Sequence, residues 1–261
     1  EASFSREASF SREASGPAQT KNHDLNSLMQ KGGLWRASSI GCGFQQGLPT
    51  GFSKLDHYLP GSGWPQDGVT ELLYDQSGIG EIRLLAPALA HLSREMSKQI
   101  LLVAPPHIPF APALDDMGID LEMLLVVRPR TPNDMLWVLE QALSSRSCSA
   151  VLAWPGNILE KQIRRLQVAS KEGHAWSILF RPLAAMSQSS PAELRIRLSA
   201  APTAPLSAHS SINLQILKRR GGWETDIFKL HFEDNLNLQT PDFSELFSTS
   251  SNIPLETHHD R

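Results

Sequence analysis

Disulfides, membrane spans and clustered metal ligands have no foothold in this sequence. There are two cysteines, Cys42 and Cys148, far apart and without a CxxC neighbour. That excludes a disulfide scaffold and a thiolate zinc site, and fits a reducing compartment. The nine histidines form no HExxH or similar ligand spacing. His258 and His259 stand together in a polar terminus and are read as solvated. No segment approaches the roughly 18 continuous apolar residues of a membrane span, and the start of the chain has no apolar signal core. A large charge excess is also missing: 24 basic residues face 27 acidic ones, a formal net charge of -3. Non-specific nucleic-acid binding by the whole surface is thereby excluded, and any such role needs a local basic patch. The expectation is a soluble, cytoplasmic protein with no cofactor and no membrane partner.

What the sequence does hold is core material, with 41% hydrophobic residues in a chain of 261. Residues 1–15 carry two and a half copies of Glu-Ala-Ser-Phe-Ser-Arg, too few for a solenoid. Residues 1–32 are therefore expected to be a disordered low-complexity segment, 33–232 a core domain, and the polar, proline-broken 233–261 a disordered tail. Within the core, a short helix is expected after Gly51, capped by Thr50 or Ser53 and burying Leu55 and Leu59. A strand follows at residues 69–74. Ile82, Leu85, Leu89, Leu92 and Met96 then recur at helical spacing, with Pro87 a candidate kink. Apolar strands at 100–104, 124–127, 150–153 and 176–180 alternate with helices. One of these helices starts at Thr131-Pro132-Asn133-Asp134 and faces the core with Met135, Val138, Leu139, Ala142 and Leu143. Another, 158–171, turns Leu159, Ile163 and Leu166 inward. The pattern then becomes strands alone: 194–198 alternates with period two, and 212–217 with 223–232 flanks a basic turn. This order specifies an α/β fold: a mainly parallel sheet with helices on both faces and a C-terminal antiparallel hairpin.

Chemistry is suggested at one place, the strand-turn-helix at residues 71–82. A phosphate-binding loop reads G-x-x-x-x-G-K-[ST], its lysine reaching the phosphates and its hydroxyl ligating magnesium. Here Asp75, Gln76, Ser77, Gly78, Ile79, Gly80, Glu81 and Ile82 occupy that stretch. Asp75 replaces the first glycine, Glu81 the lysine and Ile82 the hydroxyl. The acid expected at the end of a later strand falls at Trp154, and a water-activating glutamate is missing from 105–107. His107 is read as a histidine in a rigid proline loop rather than a replacement base. The loop is thus expected to be degenerate, with any anion held only by backbone amides at Gly78 and Gly80. No Ser-His-Asp or Cys-His arrangement can be argued from spacing.

The order of elements resembles the RecA-like, P-loop-type core. Residues 48–56 followed by 61–65 resemble that family's approach to the loop, 117–126 its second helix-to-strand connection, 148–154 its second nucleotide-motif strand and 216–220 its late sheet strand. Leu101-Leu102-Val103-Ala104-Pro105-Pro106, Val151-Leu152-Ala153-Trp154-Pro155 and Leu179-Phe180-Arg181-Pro182 are similar to phrases of ImuA-like proteins, a group filed with SulA-like proteins. That resemblance implies a non-catalytic accessory protein in SOS-induced, error-prone translesion DNA synthesis. Its implied partners are an ImuB-like Y-family polymerase homologue, an error-prone replicative-type polymerase, a RecA filament and DNA, near the nucleoid when DNA is damaged. Two other functions are carried alongside. One is a SulA-like regulator that binds the tubulin-like division protein and stops its assembly; the other is a weak ATPase with a non-standard loop.

Two basic groups are candidate contacts for DNA or an acidic partner: Lys218, Arg219 and Arg220 at the hairpin turn, and Lys161, Arg164 and Arg165 on one helix. Phe243-Ser244-Glu245-Leu246-Phe247 keeps the terminal pair of a sliding-clamp peptide but lacks its glutamine, and is read as chance. Trp64, Trp154 and Trp223 are expected to pack in the core or at an edge.

Overall fold

The computed structural model describes residues 46–201 and 211–235. The chain divides into two units, Glu1–Gly43 and Phe44–Arg261, and the first lies outside the described residues. So do Cys42, the expected disordered N-terminal segment, nearly all of the expected tail, the 243–247 peptide and the two terminal histidines. Among the described residues, no helix is long and apolar enough to cross a membrane.

Eight strands make one sheet in the order β3-β2-β4-β5-β1-β6-β7-β8. They are β1 (Gly68–Tyr74), β2 (Gln99–Val103), β3 (Leu124–Val127), β4 (Cys148–Ala153), β5 (Trp176–Pro182), β6 (Leu194–Ala200), β7 (Ser211–Lys218) and β8 (Phe228–His231). The first six strands pair in parallel, and β7 and β8 close one edge antiparallel. The helices are α1 (Ser53–Tyr58), α2 (Glu81–Glu95), α3 (Ala111–Asp116), α4 (Pro132–Ser144) and α5 (Glu160–Gly173).

Two hydrophobic clusters form because continuous apolar strands send alternate side chains to opposite faces. In β2, Ile100 and Leu102 join the cluster containing Leu84, Leu85, Leu89 and Leu92 of α2 and Leu55 of α1. Their neighbours Leu101 and Val103 join Leu139 and Leu143 of α4 and Ile163 and Leu166 of α5. Helices thus cover both faces of the sheet. Trp64 is fully buried and lies 5.3 Å from the Trp176 ring. The indole of Trp176 donates to Thr70 Oγ1 at 3.0 Å, fixing the start of β1 beside β5. At the N-terminus of α4, Thr131 and Asp134 exchange the two hydrogen bonds of a capping box.

The structure departs from the sequence pattern at six points. Helix α2 runs unbroken through Pro87. The cap of α1 is Phe52, because Thr50 instead spends its hydroxyl on the Phe52 amide. Leu159 is not inward but 56% exposed, since the helix begins at Glu160, two residues later than expected, and Ile158 takes the buried place. Trp223 is 89% exposed rather than packed. Strand β8 is shorter than the apolar pattern of 223–232, although Thr225 still bonds Ile216 of β7 in both directions. Finally, β3 is an edge strand with Leu125 and Val126 about half exposed.

Candidate functional site

Ligands of open parallel sheets sit outside the carboxyl ends of the strands. The loop of residues 75–82 lies there, after β1, and its last two residues open α2. Gly78 and Gly80 both have positive φ, +86° and +103°, which side-chain-bearing residues rarely adopt. The turn therefore needs glycine for its shape. Asp75, Gln76, Ser77 and Gly78 are exposed.

Glu81 decides what this loop can do. It is buried, and both carboxylate oxygens accept from the Gly78 amide, at 2.8 and 3.0 Å. The negative charge that a phosphate would bring is already supplied from within the chain, at a helix N-terminus that favours an anion. Ile79 and Ile82 pack against the α1–α2 core cluster, so the hydroxyl position contributes apolar surface. From the far end of the chain, Phe232 lies over the loop. A Cβ on Gly80 would stand 2.6 Å from its ring, and Arg83 lies 5.0 Å above the same ring. The neighbouring strand ends carry an aromatic stack, Trp154 on Phe180 at 4.4 Å and 5°. Tyr74 meets the edge of Phe180 at 6.1 Å. Burial raises the Tyr74 phenol above its ordinary pKa; a hydrogen bond with Ser77 opposes this, and the Glu81 charge adds to it. His107 is exposed beside Pro106. Among the described residues, no group of three or more His, Cys, Asp or Glu is placed to hold a metal.

The basic candidates do not gather into one free patch. Lys218 Nζ donates to Ser190 O at 2.8 Å, and its pKa is lowered by burial and by Arg195, against the pull of Glu71 and Glu193. Arg219 donates to Tyr58 O, back onto α1. Arg220 is exposed and lines a cleft of about 250 Å³ with Asp67, Lys171 and Glu193. On α5, Arg164 pairs with Glu160 at 3.1 Å and Arg165 with Glu140 at 2.7 Å, while Lys161 is exposed. Lys161, Arg164 and Arg165 thus share a helix face, but two of the three charges are answered within the chain.

One charged group was not singled out by the sequence pattern. Glu71, fully buried in the middle of β1, receives Arg181 of β5 and Arg195 of β6, each at 2.6 Å. Arg181 also donates to Ile158 O and Gln188 Oε1, and Arg195 to Ala185 O. Glutamate inside an otherwise apolar strand, and arginine at alternate positions of β6, were the available signals. Only the register shows the pairing: Glu71 lies directly opposite Arg195, and Leu73 opposite Arg181.

Comparison with known proteins bears on the core of the sheet. Residues 68–177 match the family model described as cell division inhibitor SulA. Over 115 residues, the chain is 28% identical to the cell division inhibitors SulA of Yersinia enterocolitica (serotype O:8 / biotype 1B) and Yersinia pestis (strain Pestoides F). That stretch is 44% of this chain and 68% of either relative. The crystal structure of SulA from Pseudomonas aeruginosa is 25% identical, covering 43% of this chain and 97% of that one with a TM-score of 0.37.

The matched segment runs from β1 to the start of β5, and there the chain is similar to the cell division inhibitors SulA. This corrects the expectation of a translesion-synthesis adaptor, and with it the expected ImuB-like, polymerase and RecA-filament partners. The phrases behind that expectation, at 101–106, 151–155 and 179–182, are the apolar strands β2, β4 and β5 and their exits. A buried parallel sheet demands such residues whatever its partner.

Proposed function

We propose that this protein is a non-catalytic inhibitor of cell division, induced in the SOS response, which binds the tubulin-like division protein and stops its assembly. The observation that carries this is the match of residues 68–177 to the SulA family model. The loop after β1 supports a binding role over a catalytic one. Its anion site is filled by Glu81 and its mouth is covered by Phe232, whereas phosphoryl transfer needs cradled phosphates and an anchored metal. The strand-loop-helix at Glu71, Glu81 and Ile82 is then a RecA-like phosphate loop kept for its shape. We take residues 33–232 as the domain responsible, flanked by 1–32 and 233–261.

Two measurements test this. Induced expression in rod-shaped cells should give filaments that continue to replicate DNA but do not divide. Purified chain, added in increasing ratio, should lower the GTP-dependent sedimentation of the tubulin-like protein. Normal division and undiminished assembly with a chain that is folded by circular dichroism would overturn the proposal.

A further inference from the structure

A cleft of about 250 Å³ opens at the amino ends of the parallel strands, the end of the sheet opposite the loop of residues 75–82. Asp67 and Glu193 reach it from the residues just before β1 and β6, and Lys171 from the last turn of α5. Arg219 and Arg220 reach it from the turn after β7. One wall is set by backbone. Gly47 lines the cleft and donates to Gly61 O at 2.7 Å, and a Cβ on Gly47 would stand 2.7 Å from the Gly63 backbone. Next to it, Leu48 and Trp64 exchange backbone hydrogen bonds at 2.8 and 2.6 Å.

The charges of the cleft do not balance. Its lining holds three cations, Lys171, Arg219 and Arg220, against two carboxylates, Asp67 and Glu193. Both carboxylates are engaged: Glu193 pairs with Lys171 at 2.6 Å, and Asp67 Oδ2 lies 3.7 Å from His174 Nδ1. Arg219 is half-buried and donates to the Tyr58 carbonyl. Among the described residues its buried Nε has no hydrogen-bond partner, and its guanidinium enters no ion pair. Gly222 packs against the same Nε, where a Cβ would stand 2.3 Å away, so the guanidinium is held between Tyr58 and Gly222. A charge withdrawn from water without its opposite is costly. An anion in the cleft removes that cost.

Shape decides which anion. A planar carboxylate is fully engaged by one guanidinium fork, whereas a phosphate has oxygens for two. Arg219 and Arg220 share one tight turn, closed by a bridge from Arg219 to Gly222 with Gly221 at φ +69°. The rest of the lining suits hydroxyl groups better than a second anion. Ionised Asp67 and Glu193 only accept hydrogen bonds, and Gln66 donates to Gln46 O, keeping its own Oε1 as an acceptor. Pro60, Pro65 and Leu194 offer apolar surface to a carbon skeleton. The volume falls below the range of about 300–1,000 Å³ for drug-sized ligands, which suits a small sugar phosphate and not a nucleoside triphosphate.

We propose that this cleft binds a small hydroxylated phosphate ester, of the sugar-phosphate class. The phosphate lies on Arg219 and Arg220, and hydroxyl groups donate to Asp67 and Glu193. Of the lining residues only Lys171 falls within the segment 68–177, so the site does not depend on the division-inhibitor proposal.

The test is calorimetric titration of the full chain with ribose 5-phosphate, glucose 6-phosphate, glycerol 3-phosphate and inorganic phosphate. At least one ester should bind saturably, and about tenfold or more tightly than inorganic phosphate. Arg220→Ala, at an exposed position, and Arg219→Gln should each weaken that ester about tenfold or more. Asp67→Asn should weaken the ester while leaving inorganic phosphate bound no more weakly. Arg130→Ala, which removes the same charge beyond β3 at the opposite edge of the sheet, should change nothing. Failure of all three esters to saturate overturns the proposal. So does inorganic phosphate bound as tightly as the best ester, an ester affinity that Arg220→Ala leaves unchanged, or an equal loss in Arg130→Ala.

Discussion

Glu71 answers two arginines from a position with no contact to water, and its removal would leave both guanidinium groups buried beside an apolar hole. Breaking a buried pair from one side typically costs about 3–5 kcal/mol. Glu71→Ala should therefore lower the urea stability by that amount, and Glu71→Gln, which still accepts hydrogen bonds, by less. A second residue sets a pH dependence. Burial lowers the pKa of His91 from 6.5, against the pull of Glu95. Above that value both folded and unfolded chains hold it neutral. Below it the unfolded chain takes up a proton that the folded chain resists, so stability is lost as pH falls through the unfolded value. The urea midpoint should drop between about pH 7.5 and about pH 5.5, and His91→Gln should flatten that part of the profile.

At the scale of elements, the loop between β1 and α2 is held by two glycines at positive φ and by the Glu81 carboxylate on the Gly78 amide. Its two glycines differ in their surroundings. A Cβ at Gly80 would stand 2.6 Å from the Phe232 ring, whereas one at Gly78 would meet nothing within 4 Å. Gly78→Ala should cost only the backbone term of about 1–2 kcal/mol. Gly80→Ala should cost more, because the ring must also move, and thermal melts of the two variants would rank them. Glu81→Ala would leave the Gly78 amide without its carboxylate and should cost about 1–3 kcal/mol. Helices α2 and α4 are legible in the sequence because their apolar spacing repeats over more than two turns. The exposure of Leu159 is not legible, because spacing does not place one residue at a helix entrance, and that of Trp223 is not, because aromatic character alone does not report burial.

For the whole molecule, the filled loop predicts indifference to nucleotide. A ligand that binds the folded chain raises its melting temperature by mass action, so Mg-ATP at about 1 mM should leave the midpoint unmoved. A clear rise would show that Glu81 yields to phosphate. The sequence by itself determined the class of fold, since apolar runs of strand length alternating with periodic helices have one stable arrangement, a parallel sheet covered on both faces. It also determined that the lysine and hydroxyl of a phosphate loop are missing, because these are matters of residue identity. It did not determine the partner, since the phrases that suggested one are strand residues selected by burial. Tertiary structure alone decided that Glu81 turns inward to the Gly78 amide, that Phe232 reaches the loop from the far end of the chain, that Glu71 meets Arg181 and Arg195, and that β3 is left at the edge. Each of these joins residues distant in sequence or fixes a side-chain direction, and local periodicity carries no information about either.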